Sequence, residues 1–236
     1  MEKPPVVWIT GASSGIGYAL ASEYLRNGLD VFITPRNFEK LGSVKSEFAD
    51  LKGKCNIYQA DVRNSKQVEE AFSFISRDYF VECLINNAGI SRFKKFEDHS
   101  FEEAGDIIST NLLGAFYTSK TVLEDMKKMQ RGQIVNIISV TAVKVFKNSS
   151  VYAASKAGLE AFSDVLREEV RKYGIKVMNI YPGATKTGIW PESALEKYSD
   201  NMIEPDELAE YLFKVIREQK NICTENIVIR PITGDL

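Results

Sequence analysis

Histidine and cysteine are scarce in this chain, and their scarcity removes whole classes of chemistry. Among 236 residues there is one histidine, His99, and there are three cysteines, Cys55, Cys83 and Cys223. A single histidine rules out a histidine-based metal cluster, and no metal site is expected. A Ser-His-Asp hydrolase would have to use His99. That residue lies in a polar stretch after Phe96-Glu97-Asp98 and reads as a surface residue. The cysteines are odd in number, far apart and free of any CxxC pattern, so neither a disulfide framework nor a zinc site is indicated. Cys55 and Cys83 fall in or beside predicted strands. They read as buried, reduced thiols, which suits a reducing compartment. Long apolar runs are missing too: none approaches the ~18 residues of a membrane span. Met1-Glu2-Lys3-Pro4-Pro5 lacks a basic segment followed by an apolar core, so the expectation is a cytoplasmic protein with no membrane partner. Nor is there an excess of positive charge. A net charge of −2 supplies no general pull toward nucleic acid, and the basic clusters at 92–95 and 126–131 read as solvated faces.

What is present is an ordinary globular composition, 44% hydrophobic and 26% charged, with length for one sizeable core. The chain is organised around residues 6–17. Val6-Val7-Trp8-Ile9 reads as a strand buried on both faces and runs into Thr10-Gly11-Ala12-Ser13-Ser14-Gly15-Ile16-Gly17. Apolar or small residues at Ile16, Ala19, Leu20 and Tyr24 then recur at helical spacing until Asn27-Gly28. A glycine turn between strand and helix lets the backbone approach a pyrophosphate and points a helix N-terminus at it. The spacing is Gly-x-x-x-Gly-x-Gly rather than GxGxxG.

From there strands and helices alternate to the end. Strands are predicted at 30–34, 54–60, 81–85, 133–138, 175–180 and 226–230. Helices are predicted at 38–48 (capped by Asn37), from Asn64 or Ser65 onward, at 101–129, at 151–173 and from Pro205. Residues 184–203 read as an irregular substrate-loop insertion. No linker, repeat or low-complexity segment divides the chain. The pattern predicts an α/β fold: a single doubly wound domain over 1–236, with a seven-stranded parallel sheet flanked by helices on both faces. Ligands in such sheets bind beyond the carboxyl ends of the strands. The unusual clusters Gly11–Gly17, Pro35-Arg36-Asn37, Asp61-Val62, Asn86-Asn87-Ala88-Gly89, Ser139 and residues 182–187 all fall there.

Tyr152 and Lys156 stand four residues apart, so they share one helix face, and the small residues between and after them leave it open. A phenol is a poor base at neutral pH, but a nearby ammonium favours the phenolate. A hydroxyl such as Ser139 can hold a substrate oxygen while charge develops on it.

Together, the glycine turn, Asn86-Asn87-Ala88-Gly89, Asn111, Ser139, Tyr152-x-x-x-Lys156 and Pro182-Gly183 resemble the short-chain dehydrogenase/reductase family, in order and spacing, over essentially the whole chain. The resemblance implies a Rossmann domain and an oxidoreductase. In it Tyr152 would be the general acid/base, and Lys156 would lower the tyrosine pKa and bond the nicotinamide ribose. Ser139 would polarise the substrate oxygen, and Asn111 would hold a water linking Lys156 to solvent. It also implies cofactor contacts by Gly11, Ser13, Ser14, Gly15, Ile16 and Gly17, by Asp61 and Val62 at the adenine, and by Asn87, Ala88 and Gly89 along the ribose. Pro182, Gly183, Thr185 and Thr187 would meet the nicotinamide and pyrophosphate. The family often has an aliphatic residue where Thr185 stands.

NAD binders place an acid after the second strand; NADP binders place a cation there. Here Pro35 stands where the acid is expected, and Arg36 follows with Asn37 as a further donor, so the expected cofactor is NADP rather than NAD. The specificity surfaces carry Phe93, Phe96, Val143, Val145, Phe146, Ile189 and Trp190, pointing to a mainly apolar cleft. Arg92, Lys144, Lys147 and Lys186 could admit a carboxylate. Residues 225–231 resemble the branch of NADP-dependent 3-hydroxy acid dehydrogenases and carbonyl reductases, which implies a small hydroxy acid or its keto form as substrate. A general aldehyde or ketone reductase is the alternative. A catalytically inactive NADP-binding or sensing protein is the alternative of another class; its signature, loss of Tyr152, Lys156 or Ser139, is absent. Family members commonly pair their two long helices, so a homodimer or homotetramer is expected.

Overall fold

The computed structural model describes residues 3–36, 41–217 and 221–236. Seven parallel strands form one sheet in the order β3-β2-β1-β4-β5-β6-β7. They are β1 (Pro5–Thr10), β2 (Val31–Thr34), β3 (Cys55–Ile57), β4 (Phe80–Asn86), β5 (Gly132–Ile137), β6 (Ile175–Pro182) and β7 (Asn226–Ile229). The sheet, strand count and doubly wound order agree with the sequence pattern.

Alternation along β1 explains the layering. Val7 and Ile9 face α1 (Gly15–Arg26) and α8 (Pro205–Arg217), where Leu20, Tyr24, Leu208 and Leu212 complete one apolar cluster. Val6 and Trp8 face the other side. There they meet Val68, Ala71 and Ile75 of α3 (Ser65–Asp78), Val122 and Met126 of α5 (Gly114–Met129), and Leu166 and Val170 of α6 (Ser150–Val170). Trp8, Phe32, Leu84 and Ile85 are almost wholly buried, each stabilising by roughly 2–3 kcal/mol relative to exposure. The polar Asn86 is tolerated at the end of β4 because its amide donates to Asn136 Oδ1 (2.8 Å) and Ser119 Oγ (3.0 Å) and accepts from Thr118 Oγ1 (2.6 Å).

Several boundaries differ from the sequence expectation. β3 is only three residues long, although 54–60 reads as extended. The predicted helix at 38–48 is seen as α2 (Leu41–Glu47); Asn37, its expected cap, lies outside the described residues. The predicted helix at 101–129 is three pieces: α4 (Phe101–Ile108), a π-turn (Ser109–Leu113) and α5. α4 is fixed at its start by a capping box between Ser100 and Glu103. α6 ends in a tight turn (Arg171–Tyr173) at Gly174, whose φ is +67°. The segment expected to be irregular, 184–203, carries a two-turn helix, α7 (Glu192–Tyr198), with Pro191 before it, Glu192 in its first turn and Lys197 in its last.

The thiols are free, but only Cys83 is buried; Cys55 and Cys223 are half-buried, against the expectation of buried thiols throughout. Burial pushes Cys83 up to about 12 and Cys55 up to about 11. His99 is likewise half-buried rather than a surface residue, with both ring nitrogens enclosed and unpaired. Among the described residues no helix is long and apolar enough to cross a membrane.

Candidate active site

The strand order reverses between β1 and β4, which places the crevice beyond the ends of those two strands. A cleft of about 840 Å³ opens there. Its floor is stitched from the two loops. Thr10 Oγ1 accepts from the backbone amides of Asn87 and Ala88, both at 3.1 Å. The Asn87 side chain donates back to the Thr10 and Gly11 carbonyls, both at 3.0 Å. Gly11 has φ +64°, and a Cβ on it would lie 2.7 Å from Ala88 Cα, so the turn requires glycine.

α1 begins at Gly15, and the side chain of its N-cap, Ser14, makes no capping bond. The first-turn amides and the positive helix end therefore face the cleft, lined by Gly11, Ser13, Ser14, Gly15 and Ile16. This donor set fits the pyrophosphate of a dinucleotide. Thr187 sits across from it, close enough that a Cβ on Gly15 would come within 3.1 Å of Thr187 Cγ2.

At the far end of the cleft lie Arg36, exposed after β2, and Asp61 with Val62. The Asp61 carboxylate is gripped by Arg63, whose Nε reaches both oxygens at 3.1 and 3.0 Å and whose Nη2 reaches Oδ2 at 2.7 Å. Arg63 also binds Asp106 at 2.7 Å. Burial pulls the Asp61 pKa up, but the bonds and charge of Arg63, aided by Arg36, outweigh it and hold the carboxyl below its usual range. A guanidinium fits a phosphate in shape and charge, and that of Arg36 has no ion-pair or hydrogen-bond partner among the described residues, whereas Arg63 is committed to Asp61 and Asp106.

At the other end, Tyr152 opens the first turn of α6 and Lys156 follows one turn later, both buried. Ser139 caps a one-turn segment (Val140–Ala142) just beyond β5, its Oγ accepting from the Thr141 amide at 3.2 Å. Burial pushes the Tyr152 phenol up to about 12, with the Ser139 hydroxyl pulling the other way. Burial also pulls Lys156 down to about 8. Desolvation dominates at Tyr152, and the lysine donates to the Ile137 carbonyl at 2.7 Å.

Asn111 is buried in the π-turn and does not line the cleft. Its amide donates to the Ile90 carbonyl (2.9 Å) and Ser155 Oγ (2.9 Å), and its oxygen accepts from the Ile90 amide (2.8 Å). Through these bonds the side chain braces the loop after Gly89. Gly17 also lies outside the lining, packed beneath Asn87. Asn87, Ala88, Gly89, Pro182, Gly183 and Thr185 do line the cleft. Gly183 is held by its amide to the Ile229 carbonyl (2.7 Å), and Thr185 Oγ1 donates to the Gly183 carbonyl (3.1 Å).

Of the expected apolar lining, Phe93, Phe146, Ile189 and Trp190 are present; Phe96, Val143 and Val145 point to solvent instead. Lys144 binds Asp235 (2.6 Å) and Lys186 binds Glu204 (2.8 Å), leaving Arg92 and Lys147 as the substrate-side cations of the lining. Sequence reasoning missed Arg63, Ser155 and Asp235. Arg63, two residues from Asp61, and Ser155, inside the Tyr152-x-x-x-Lys156 motif, stood near enough to a motif to be found; Asp235 did not.

A doubly wound sheet with a glycine turn at its switch point and a tyrosine, a lysine and a serine beyond its strand ends defines the Rossmann-fold oxidoreductases as a class. The family model described as short chain dehydrogenase matches residues 5–197. An uncharacterised oxidoreductase of Staphylococcus aureus (strain USA300) is 30% identical over 228 residues, 96% of this chain and 97% of that protein. Among solved structures, an alcohol dehydrogenase from the archaeon Thermococcus sibiricus complexed with 5-hydroxy-NADP superposes with TM-score 0.89 at 26% identity, covering 99% of each chain. The closed form of serine dehydrogenase complexed with NADP+ superposes with TM-score 0.90 at 26% identity, covering 98% of this chain and 96% of that one. The chain belongs to the short-chain dehydrogenase family and is an oxidoreductase of that fold.

Proposed function

We propose that the protein is an NADP-dependent oxidoreductase that interconverts a carbonyl and a secondary alcohol, with Tyr152 as general acid/base. One observation carries this: Ser139, Tyr152 and Lys156 line the same cleft as the glycine turn and Arg36. When bound, NADPH supplies the hydride. Tyr152 keeps its proton at neutral pH, because burial pushes its pKa up to about 12, and so serves as the acid for a carbonyl oxygen. Ser139 donates to that oxygen as charge develops. Lys156, a buried cation, stabilises the phenolate left behind and bonds the nicotinamide ribose. Gly11, Ser13, Ser14, Gly15 and Ile16 hold the pyrophosphate, Asp61 and Val62 border the adenine, and Arg36 takes the 2′-phosphate in place of the carboxylate an NAD site would carry. The NADP in the two similar structures supports that choice.

The leading substrate is a small hydroxy acid or its keto form, with Arg92 and Lys147 as the cations that would receive its carboxylate. The pairing of Lys144 and Lys186 with acids favours the second reading, a general aldehyde or ketone reductase. Pairing of copies through the two long helical regions, 101–129 and 151–173, each of which exposes an apolar side chain (Phe101 and Val165), belongs to this reading, and light scattering tests it. The decisive experiment follows NADPH absorbance over a panel of hydroxy acids, alcohols and carbonyls with wild type and Tyr152→Phe. The variant is expected to lose about 100-fold or more in turnover while still binding NADPH. Equal turnover would overturn the mechanism, and no turnover by the wild type would leave an NADP-binding or sensing protein.

A further inference from the structure

Three rings of the cleft meet in a row. The Phe93 ring lies edge-on to Tyr152, with centres 5.7 Å apart and planes at 72°. Trp190 stacks on Phe93, with centres 5.0 Å apart and planes at 23°. The indole is itself fixed, its Nε1–H donating to the Thr185 carbonyl at 3.0 Å. A second tie joins the same two loops: Ser91 Oγ donates to the Ile189 carbonyl at 3.1 Å, across 98 residues of sequence. Phe93 and Trp190 are half-buried, and neither belongs to the apolar clusters that hold the sheet. Their packing therefore builds a wall of the cleft rather than a part of the core.

We propose that Phe93 and Trp190 limit the size of the group that a carbonyl or secondary-alcohol substrate carries beside the Tyr152 hydroxyl. Phe93 is the specificity-determining contact, and Trp190 is the positioning residue that holds it. This rests on the oxidoreductase reading and narrows its substrate class to compact molecules with one small substituent on the reacting carbon. A substrate oxygen within reach of Tyr152 and Ser139 brings its reacting carbon up to this wall. A larger group would have to push Phe93 off both its edge contact with Tyr152 and its stack on Trp190, which the bond to Thr185 holds in place. Aromatic pairs of this geometry resist such displacement by more than their buried area alone.

The test compares kcat/KM with NADPH for ethyl acetoacetate and ethyl benzoylacetate, which differ by methyl against phenyl on the reacting carbon, within a wider carbonyl panel. The wild type is expected to favour the methyl ketone. Trp190→Ala and Phe93→Ala are each expected to move the ratio toward the phenyl ketone by about 10-fold or more, with NADPH affinity unchanged. Trp190→Phe, which keeps a stacking ring, is expected to keep the wild-type ratio. An unmoved ratio in both alanine variants of an active enzyme overturns this inference alone, as does loss of NADPH binding in both, which would mark a structural role. Failure of the wild type on every carbonyl of the panel overturns the oxidoreductase reading and this inference with it.

Discussion

The Lys156 ammonium donates to the backbone carbonyl of Ile137 at 2.7 Å while lying 5.8 Å from the centre of the Tyr152 ring. The protein thus holds a buried cation beside a buried phenol without joining them directly. Desolvation acts on the two in opposite senses, lowering Lys156 to about 8 and raising Tyr152 to about 12.

The lysine shift has a consequence for stability. Its pKa falls from 10.5 in the unfolded chain to about 8 in the folded one, so between those values the unfolded chain binds more protons. Stability contributed at this site therefore rises with pH from about 8 to 10.5 and is flat below 8. Against Lys156→Met, wild-type unfolding free energy is expected to gain up to about 3 kcal/mol across that window, read by denaturant titration at stepped pH. A difference that stays constant or falls with pH would contradict a desolvated Lys156.

Cofactor choice is predicted to turn on Arg36. It is exposed at the cleft, and its backbone carbonyl accepts from Gln59 Nε2 at 3.0 Å, which fixes the chain there. Loss of one charge-assisted bond to a phosphate corresponds to roughly 10- to 100-fold in affinity. Arg36→Asp should lower kcat/KM for NADPH by about 10-fold or more and leave NADH unchanged or improved. Steady-state kinetics with both cofactors decides it; an unchanged preference would remove Arg36 from the site.

What could be read from the sequence was local. The strand–turn–helix at Gly11–Gly17 and the alternation that predicts seven parallel strands depend on residues within a few positions of one another. So does the pairing of Tyr152 with Lys156. The features that escaped depend on distant partners. Nothing in 101–129 announces a π-turn, because it accompanies a grip by Asn111 on the backbone of Ile90, 21 residues away. Lys156 finds its acceptor 19 residues back in β5. The Phe93–Trp190 stack joins two loops whose apolar residues looked alike to Phe96 and Val145, which turn to solvent.

Gly17 offers a test of the seam under the cofactor cleft. A Cβ there would sit 2.3 Å from Asn87 Nδ2 and 2.8 Å from the Gly11 carbonyl, between a donor and its acceptor. Gly17→Ala should break the two bonds from Asn87 to the Thr10 and Gly11 carbonyls and shift the glycine turn. The expected cost is about 1–3 kcal/mol of stability, together with a loss of NADPH affinity that exceeds it in proportion. Thermal melts with and without NADPH separate the two. A variant that melts early but is stabilised by NADPH as strongly as wild type would show that the seam supports the fold and not the site.

Asn111 and Ser155 form the other seam, and their ranking can be predicted. Asn111 satisfies both backbone groups of Ile90 and donates to Ser155 Oγ, which in turn donates to the Tyr152 carbonyl at 2.6 Å. Asn111→Leu would keep the volume but strip the half-buried Ile90 amide and carbonyl of those partners, at about 1 kcal/mol for each bond lost. Ser155→Ala would leave Asn111 its two bonds to Ile90 and the Tyr152 carbonyl within its helix, for a cost nearer 1 kcal/mol. The loop braced by Asn111 begins beside Gly89, where a Cβ would lie 3.4 Å from Asn111 Oδ1 and 3.5 Å from Lys156 Nζ. Asn111→Leu should therefore lower kcat as well as the melting temperature, and Ser155→Ala should lower the melting temperature with a much smaller change in kcat. The reverse order, with Ser155→Ala the more damaging to turnover, would place the critical bond on the helix of Tyr152 rather than on the loop that Asn111 holds.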